Sequence, residues 1–309
     1  MVRKAILLMG PTASGKTDIA ISLCKRFPCD VISVDSALVY RGMDIGTAKP
    51  DRETLQRTPH RLIDIRDPED SYSAGDFVRD ARIAIVEILA AGRIPLLVGG
   101  TMMYFRALTE GIADLPPADA EIRNAIDLEA RQNGWPAMHE ELRCVDPDAA
   151  SRINPNDAQR IQRALEVYRS SGKSLSRWQL QAADTRSDIS YVKIALQIEP
   201  RSLLHARINE RLQQMIRNGF VDELRSLRSR PDLTRESSAM RSVGYRQFWN
   251  YLEGDCSHEE ASERALFATR QLAKRQLTWL RSENGVFSVA ALEANAIDTI
   301  SAHLAQNLT

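Results

Sequence analysis

Short apolar runs separated by helical spacing fill the first third of the chain. Residues 5–9, 31–34, 62–65 and 94–98 are strand candidates, each aliphatic or β-branched and bounded by turn residues. Between the last two, Ser73 and Asp76 form a capping-box-like start. Phe77, Ile83, Ile85, Ile88 and Leu89 then recur at helical spacing up to a stop at Gly92. Strands alternating with helices predict a parallel, doubly wound sheet, in which ligands bind at the carboxyl ends of the strands. Gly10, Asp35 and Thr101 each follow a predicted strand directly, so all three are expected along one rim.

Beyond Leu115-Pro116-Pro117 the period changes. Residues 118–186 read as helices broken at Gly134-Trp135-Pro136, Asp146-Pro147, Asn154-Pro155-Asn156 and Ser171-Gly172. Residues 192–198 then return to a β-branched strand pattern, and the remainder is predicted helical: 201–218 closed by Gly219, a segment from Phe220, 244–253, and a long helix over about 257–280. The predicted class is α/β, a mostly parallel sheet flanked by helices, with an all-helical insertion and a helical C-terminal part. The expected division is 1–116 for the first part of the core, 117–186 for the insertion and 187–309 for the rest of the core. The Pro-Pro pair and the polar stretch 183–190 read as paired hinges.

Composition narrows the class. At 309 residues and 43% hydrophobic the chain can bury a large core, and no run approaches the roughly 18 apolar residues of a membrane span. No membrane partner is expected. The first strand candidate begins almost at once, so a signal peptide is not expected. Cys24, Cys29, Cys144 and Cys256 form no Cys-x-x-Cys pair, and the five histidines stand at no ligand or triad spacing. Reduced thiols in a cytoplasmic monomer are the expectation. Net charge is zero but unevenly spread. Residues 114–148 hold nine acids and three bases, 151–186 seven bases and three acids, 201–246 ten bases and five acids, and 264–281 five bases and no acid. Such polarity offers a basic face to a polyanion from a neutral chain.

Gly10-Pro11-Thr12-Ala13-Ser14-Gly15-Lys16-Thr17 follows the first strand and opens a helix, the context a P-loop requires. Its backbone N–H groups and the helix N-terminus converge on one anion, and Lys16 adds a mobile positive charge. The loop is the one that nucleotide-binding and ATP-binding proteins use, and it leaves open whether the phosphate is transferred, hydrolysed or released. Asp35, at the end of the second strand, reads by convention as a magnesium ligand, and otherwise as a general base for a second substrate or a cap on its own turn. Gly99-Gly100-Thr101 permits close backbone approach and offers a hydroxyl, to an anion or as cap of the next helix. Arg207 and Arg211 share one helix face and read as donor-phosphate contacts or as surface pairs.

These pieces carry a resemblance. The loop, the run Ser33-Val34-Asp35-Ser36-Ala37-Leu38-Val39-Tyr40, Met43-Asp44-Ile45-Gly46-Thr47-Ala48-Lys49-Pro50, Gly99-Gly100-Thr101 with Tyr104, Asn156-Asp157 with Arg160, and Val243-Gly244-Tyr245 together resemble the tRNA dimethylallyltransferase family, in order and over nearly the whole chain. The resemblance implies transfer of a dimethylallyl group from dimethylallyl diphosphate, as co-substrate, to N6 of the adenosine 3′-adjacent to the anticodon. It assigns the loop, Gly10, Thr12, Ala13, Ser14, Gly15, Lys16 and Thr17, to the donor diphosphate, with Mg2+ on Thr17. Asp35 is then the general base, assisted by Thr101 and Lys16. The tRNA anticodon stem-loop is expected to meet Asp35, Ser36, Ala37, Leu38 and Thr101, then Arg123, then Gln159, Arg160, Ile161, Gln162 and Arg163, and finally Met240, Arg241, Ser242, Val243, Gly244 and Tyr245. Two departures stand out: Met102 and Met103 follow the Gly-Gly-Thr where many relatives have a further Gly, and no Cys/His zinc-finger set follows Ala290, where His303 stands without a cysteine. The competing readings are a P-loop kinase or NTPase with Asp35 as magnesium ligand, and a non-catalytic RNA-binding protein.

Overall fold

The computed structural model describes residues 3–113, 115–182 and 189–308. Among them, six strands form one all-parallel sheet in the order β3-β2-β4-β1-β5-β6. The strands are β1 (Arg3–Met9), β2 (Cys29–Val34), β3 (His60–Arg61), β4 (Ile94–Gly99), β5 (Ile189–Gln197) and β6 (Val286–Ala290). β1, β2 and β4 are continuous buried runs, as strands covered on both faces must be. Register aligns Leu8 with Val98 and Ile194, and Ser33 with Val98.

One face of the sheet is covered by α1 (Lys16–Arg26) and the C-terminal helix, which is numbered below as α14 (Ala296–Leu308). Ile19, Ala20, Leu23, Ile300 and Leu304 pack there on Leu8, Val31, Leu96, Val98 and Ile194. Between β2 and β4 run α2 (Arg52–Arg57) and α3 (Ala74–Ala90). α3 starts on the reciprocal capping box of Ser73 and Asp76. After β4 come α4 (Met102–Glu110) and five helices, α5 (Ala120–Asn133), α6 (Trp135–Val145), α7 (Pro147–Arg152), α8 (Ala158–Ser171) and α9 (Leu175–Ala182). β5 is followed by α10 (Arg201–Arg217), α11 (Phe220–Arg228), α12 (Tyr245–Glu253), α13 (His258–Ser282) and then β6 and α14. The chain divides into two compact units, 1–107 with 188–309, and 108–187. The helical unit has its own core of Ile126, Met138, Leu142, Ile161 and Leu165. Most of the predicted hinge at 183–190, and the predicted boundary at 186, lie outside the described residues. Among those described, no helix is long and apolar enough to cross a membrane.

The predicted strand 62–65 is a turn. Leu62 and Asp64 stand at φ 64° and 56°, which rules out extended backbone there. Asp64, Ile65 and Arg66 instead donate their N–H groups to the carbonyls of Leu38 and Val39, so the apolar run docks on the segment after β2. Sheet pairing is left to His60 and Arg61. β6 and α14 had no counterpart in the sequence pattern. β6 is half exposed and short, with no clear alternation.

Candidate active site

The loop between β1 and α1 is drawn tight. Ala13 and Gly15 adopt left-handed φ values of 63° and 82°. Lys16 Nζ bonds the loop carbonyls of Gly10 and Pro11 at 3.0 and 2.7 Å, and Arg207 Nε bonds the carbonyl of Ala13 at 2.9 Å. Burial pushes the Lys16 ammonium down to about 7, the nearby Arg211 adds to this, and Asp35 opposes it. Burial likewise lowers Arg211, Asp35 opposes this and the Arg207 charge adds to it. Buried cations each lowered further by a neighbouring cation are what an anion-binding site looks like before its charge arrives.

Opposite the loop, Asp35 Oδ1 accepts the N–H groups of Ala37 and Leu38 at 2.8 and 3.3 Å, closing an Asx-type turn. The structural role weighed for this carboxylate is therefore present, and Oδ2 is left for other work. The Thr101 hydroxyl accepts the Ser36 N–H at 3.2 Å and so ties the turn after β4 to the turn after β2. Gly99 allows that approach, because a Cβ there would stand 1.9 Å from the Val34 carbonyl oxygen. Met102 and Met103 simply begin α4.

Three side chains to which the sequence assigned no role hold these loops. Gln276, on α13 and buried, accepts the Thr12 N–H and donates to the Gly100 carbonyl, both at 2.9 Å, and so clamps the P-loop to the Gly-Gly-Thr turn. Glu223, on α11, accepts the N–H groups of Asp44, Ile45 and Gly46 and the Tyr245 hydroxyl at 2.6 to 3.1 Å. Gly46 lies on the rings of Phe220 and Tyr245, where a Cβ would come within 2.2 Å of Phe220. Lys49, nearly buried, ties Asp44, Asp64 and the Tyr40 carbonyl together. The loop so fixed presents the Thr47 carbonyl to Arg211 at 3.2 Å. No local period marks Gln276 or Glu223, whose backbone partners lie 176 to 264 and 177 to 179 residues away.

All of these residues line or border one cleft of about 1720 Å³, which also holds Ser36, Ala37, Leu38, Arg241, Ser242, Val243 and Trp279. A prenyl diphosphate alone does not need that volume, since single-ligand pockets run to about 1,000 Å³. A second substrate has space beside it.

The remaining expected RNA contacts divide by burial. Ser36 and Arg241 are exposed, whereas Met240 and Tyr245 are sealed in the core, so those two offer backbone at most. Burial and Glu223 push the Tyr245 phenol well above its ordinary range. In the helical unit, Gln159 and Arg160 are exposed, Ile161 is fully buried, and Gln162 bonds Asp127 at 2.7 Å. Arg123 and Arg163 both bond the wholly buried Glu166, at 2.9 and 2.8 Å, and Arg163 also bonds the Pro116 carbonyl. Burial pushes the Glu166 carboxyl up, but these two guanidinium groups and the Asp119 N–H hold it below the usual range. Arg169 is likewise committed to Glu129 and Glu141.

Sheet order, the tight loop after β1 and the cleft define an α/β protein with an anion site and room for a second ligand. Residues 38–283 match the family model described as IPP transferase. Among curated relatives, tRNA dimethylallyltransferase 2 of Hahella chejuensis is 52% identical over 98% of this chain and 96% of its own length. The tRNA dimethylallyltransferase of Alkalilimnicola ehrlichii is 57% identical over 91% and 88%. Among solved structures, the full-length tRNA isopentenylpyrophosphate transferase of Bacillus halodurans superposes with a TM-score of 0.73 at 37% identity, covering 99% of this chain and 97% of that one. A eukaryotic dimethylallyltransferase acting on tRNA superposes at 0.80 with 27% identity, covering 98% of this chain and 77% of that one. The chain belongs to this family of tRNA-prenylating transferases.

Proposed function

We propose that the chain transfers a dimethylallyl group from dimethylallyl diphosphate to N6 of the adenosine 3′-adjacent to the anticodon in tRNA, releasing diphosphate. The observation that carries this reading is the convergence of Lys16, Arg211 and Asp35 on one cleft large enough for two substrates. The donor diphosphate lies on the loop amides of residues 10–17, with Lys16 and Arg211 beside it. The adenine, turned out of its stack at a cost of about a few kcal/mol, enters past Ser36, Ala37 and Leu38. The N6–C1 bond forms as the C1–O bond breaks. The amine proton passes to Asp35 Oδ2, and the negative charge developing on the departing diphosphate is met by the loop amides and the two cations. The Thr101 hydroxyl holds Ser36, and through it the Asp35 turn, in place.

The residues also suit Mg2+. Thr17, the second residue of α1, lines the cleft together with Ser14 and Ser33, whose buried hydroxyls have no partner among the described residues, and a hydrated cation on the diphosphate would use such hydroxyls. When bound, Mg2+ shares the charge of the leaving diphosphate. The reading places the protein in the cytoplasm, acting as a monomer.

Asp35→Asn keeps the Oδ1 acceptor for Ala37 and Leu38 while removing the base. Transfer is expected to fall by about 10²- to 10⁴-fold with tRNA affinity kept. Mass analysis of tRNA after reaction reads the outcome as one prenyl group on one nucleoside. Undiminished transfer by Asp35→Asn, or turnover of ATP with no label in RNA, would sink the proposal.

A further inference from the structure

Every contact that assembles the cleft is internal to the core. Lys16 and Arg207 bond carbonyls of the P-loop, Gln276 joins that loop to the Gly-Gly-Thr turn, and Thr101 holds Ser36. Glu223 and Lys49 fix the loop that begins at Asp44. None of these contacts waits for RNA. Enzymes that shield a reactive donor from water commonly leave their catalytic groups incomplete until the acceptor closes the site. Here the groups already stand in place, so the shield has to come from the bound acceptor itself.

The end of the cleft that receives the acceptor is reachable. Asp35 is half-buried, its Oδ1 accepts Ala37 and Leu38, and its Oδ2 takes no hydrogen bond from a described residue. Ser36 beside it is exposed. A donor on the loop fills only part of the roughly 1720 Å³ around these residues. The remaining space admits a small nucleophile at Asp35. The loop amides, Lys16 and Arg211 meet the charge on the departing diphosphate whatever attacks the carbon. An allylic C1 shares its developing positive charge with the double bond, so a weak nucleophile suffices.

We infer that, with no RNA bound, the same site hydrolyses dimethylallyl diphosphate to dimethylallyl alcohol and diphosphate, water taking the place of the adenine amine. The water oxygen bonds C1 as the C1–O bond breaks, and the electron pair of that bond leaves with the diphosphate. The water proton passes to Asp35 Oδ2 and from there to solvent. No phosphorus–oxygen bond breaks, which separates this hydrolysis from the attack on phosphorus that P-loop hydrolases carry out. Resting on the donor reading above, this gives the site a second acceptor.

The test incubates the full chain with dimethylallyl diphosphate, without RNA, in water labelled with heavy oxygen, and weighs the products by mass spectrometry. The label is expected in the alcohol and not in the diphosphate, at a rate on the order of 10³-fold below transfer to RNA, since water is not held at C1 as a bound adenine is. Asp35→Asn is expected to slow alcohol release by about 10²-fold. An anticodon stem-loop hairpin with purine riboside at the target position lacks the N6 amine but occupies its place. At a concentration where fluorescence anisotropy shows it bound, this hairpin is expected to suppress alcohol release more than tenfold. Label in diphosphate or phosphate, or alcohol release unchanged by Asp35→Asn or by the bound hairpin, would overturn the inference. Alcohol release no faster than without protein, alongside normal prenylation of an adenosine hairpin, would overturn it and leave the proposed function standing. A protein that forms neither alcohol nor prenylated RNA would overturn both.

Discussion

Replacing Gln276 by leucine keeps the volume of the side chain and removes two 2.9 Å hydrogen bonds that join the P-loop to the Gly-Gly-Thr turn. The site is buried, so the Gly100 carbonyl is left without its partner in a place water does not reach. A buried orphan costs about 1–3 kcal/mol, and the freed Thr12 N–H adds about 1 kcal/mol more, for a total of about 2–4 kcal/mol. In a core of this size that lowers Tm by about 5–10 °C. The loop amides also lose their fixed aim at the anion, and inorganic diphosphate is expected to bind about tenfold more weakly, a change of about 1.4 kcal/mol. Gln276→Glu keeps the acceptor for Thr12, loses the donor to Gly100 and adds a negative charge beside the anion site, so its diphosphate affinity is expected to fall further than that of the leucine variant. Thermal unfolding with and without diphosphate, together with calorimetric titration, measures both effects. A leucine variant melting within 1 °C of wild type and binding diphosphate within about twofold would refute the clamp.

Lys16 gives a pH signature. Its ammonium sits near 7 in the empty site, so at pH 8 it is about nine-tenths neutral, and an anion that binds the cation draws the proton back. Calorimetry at pH 8 in two buffers is expected to show about 0.9 more protons taken up by wild type than by Lys16→Met, with affinity falling as pH rises through 7; equal uptake by the two would count against the assignment. In the empty protein the sign is opposite: a folded value below the unfolded 10.5 means that stability rises with pH between about 7 and 10.5. Glu223→Gln weakens the grip on Asp44, Ile45, Gly46 and Tyr245 and is expected to cost about 1.5–3 kcal/mol in thermal unfolding while raising the donor KM severalfold, since the same loop holds Arg211. Arg160→Ala, which removes a guanidinium 74% exposed, is expected to flatten the salt slope of tRNA binding by about one unit. Arg163→Ala should instead destabilise the helical unit by about 1–3 kcal/mol through the buried Glu166, a difference that salt titration and urea unfolding separate.

The sequence by itself determined the elements whose information is local. β1, β2 and β4 are continuous aliphatic runs, α3 announces itself by its capping box, and residues 10–17 fix a phosphate loop by glycine, lysine and hydroxyl spacing alone. The rim that joins Asp35 and Thr101 to the loop follows from strand ends in a parallel sheet. Residues 62–65 misled because an apolar run has no fixed period over four positions, and two left-handed residues turn it into a docked corner. The tertiary structure decided what depends on partners far away in the chain. It spends Arg123 and Arg163 on Glu166 and seals Ile161 and Tyr245 inside. It also brings Gln276 and Glu223 to the loops that shape the site. A polar side chain carries no local sign of the carbonyl or amide it will meet two hundred residues away. Periodicity records which face a residue buries, and only the folded chain sets which charges remain free for a substrate.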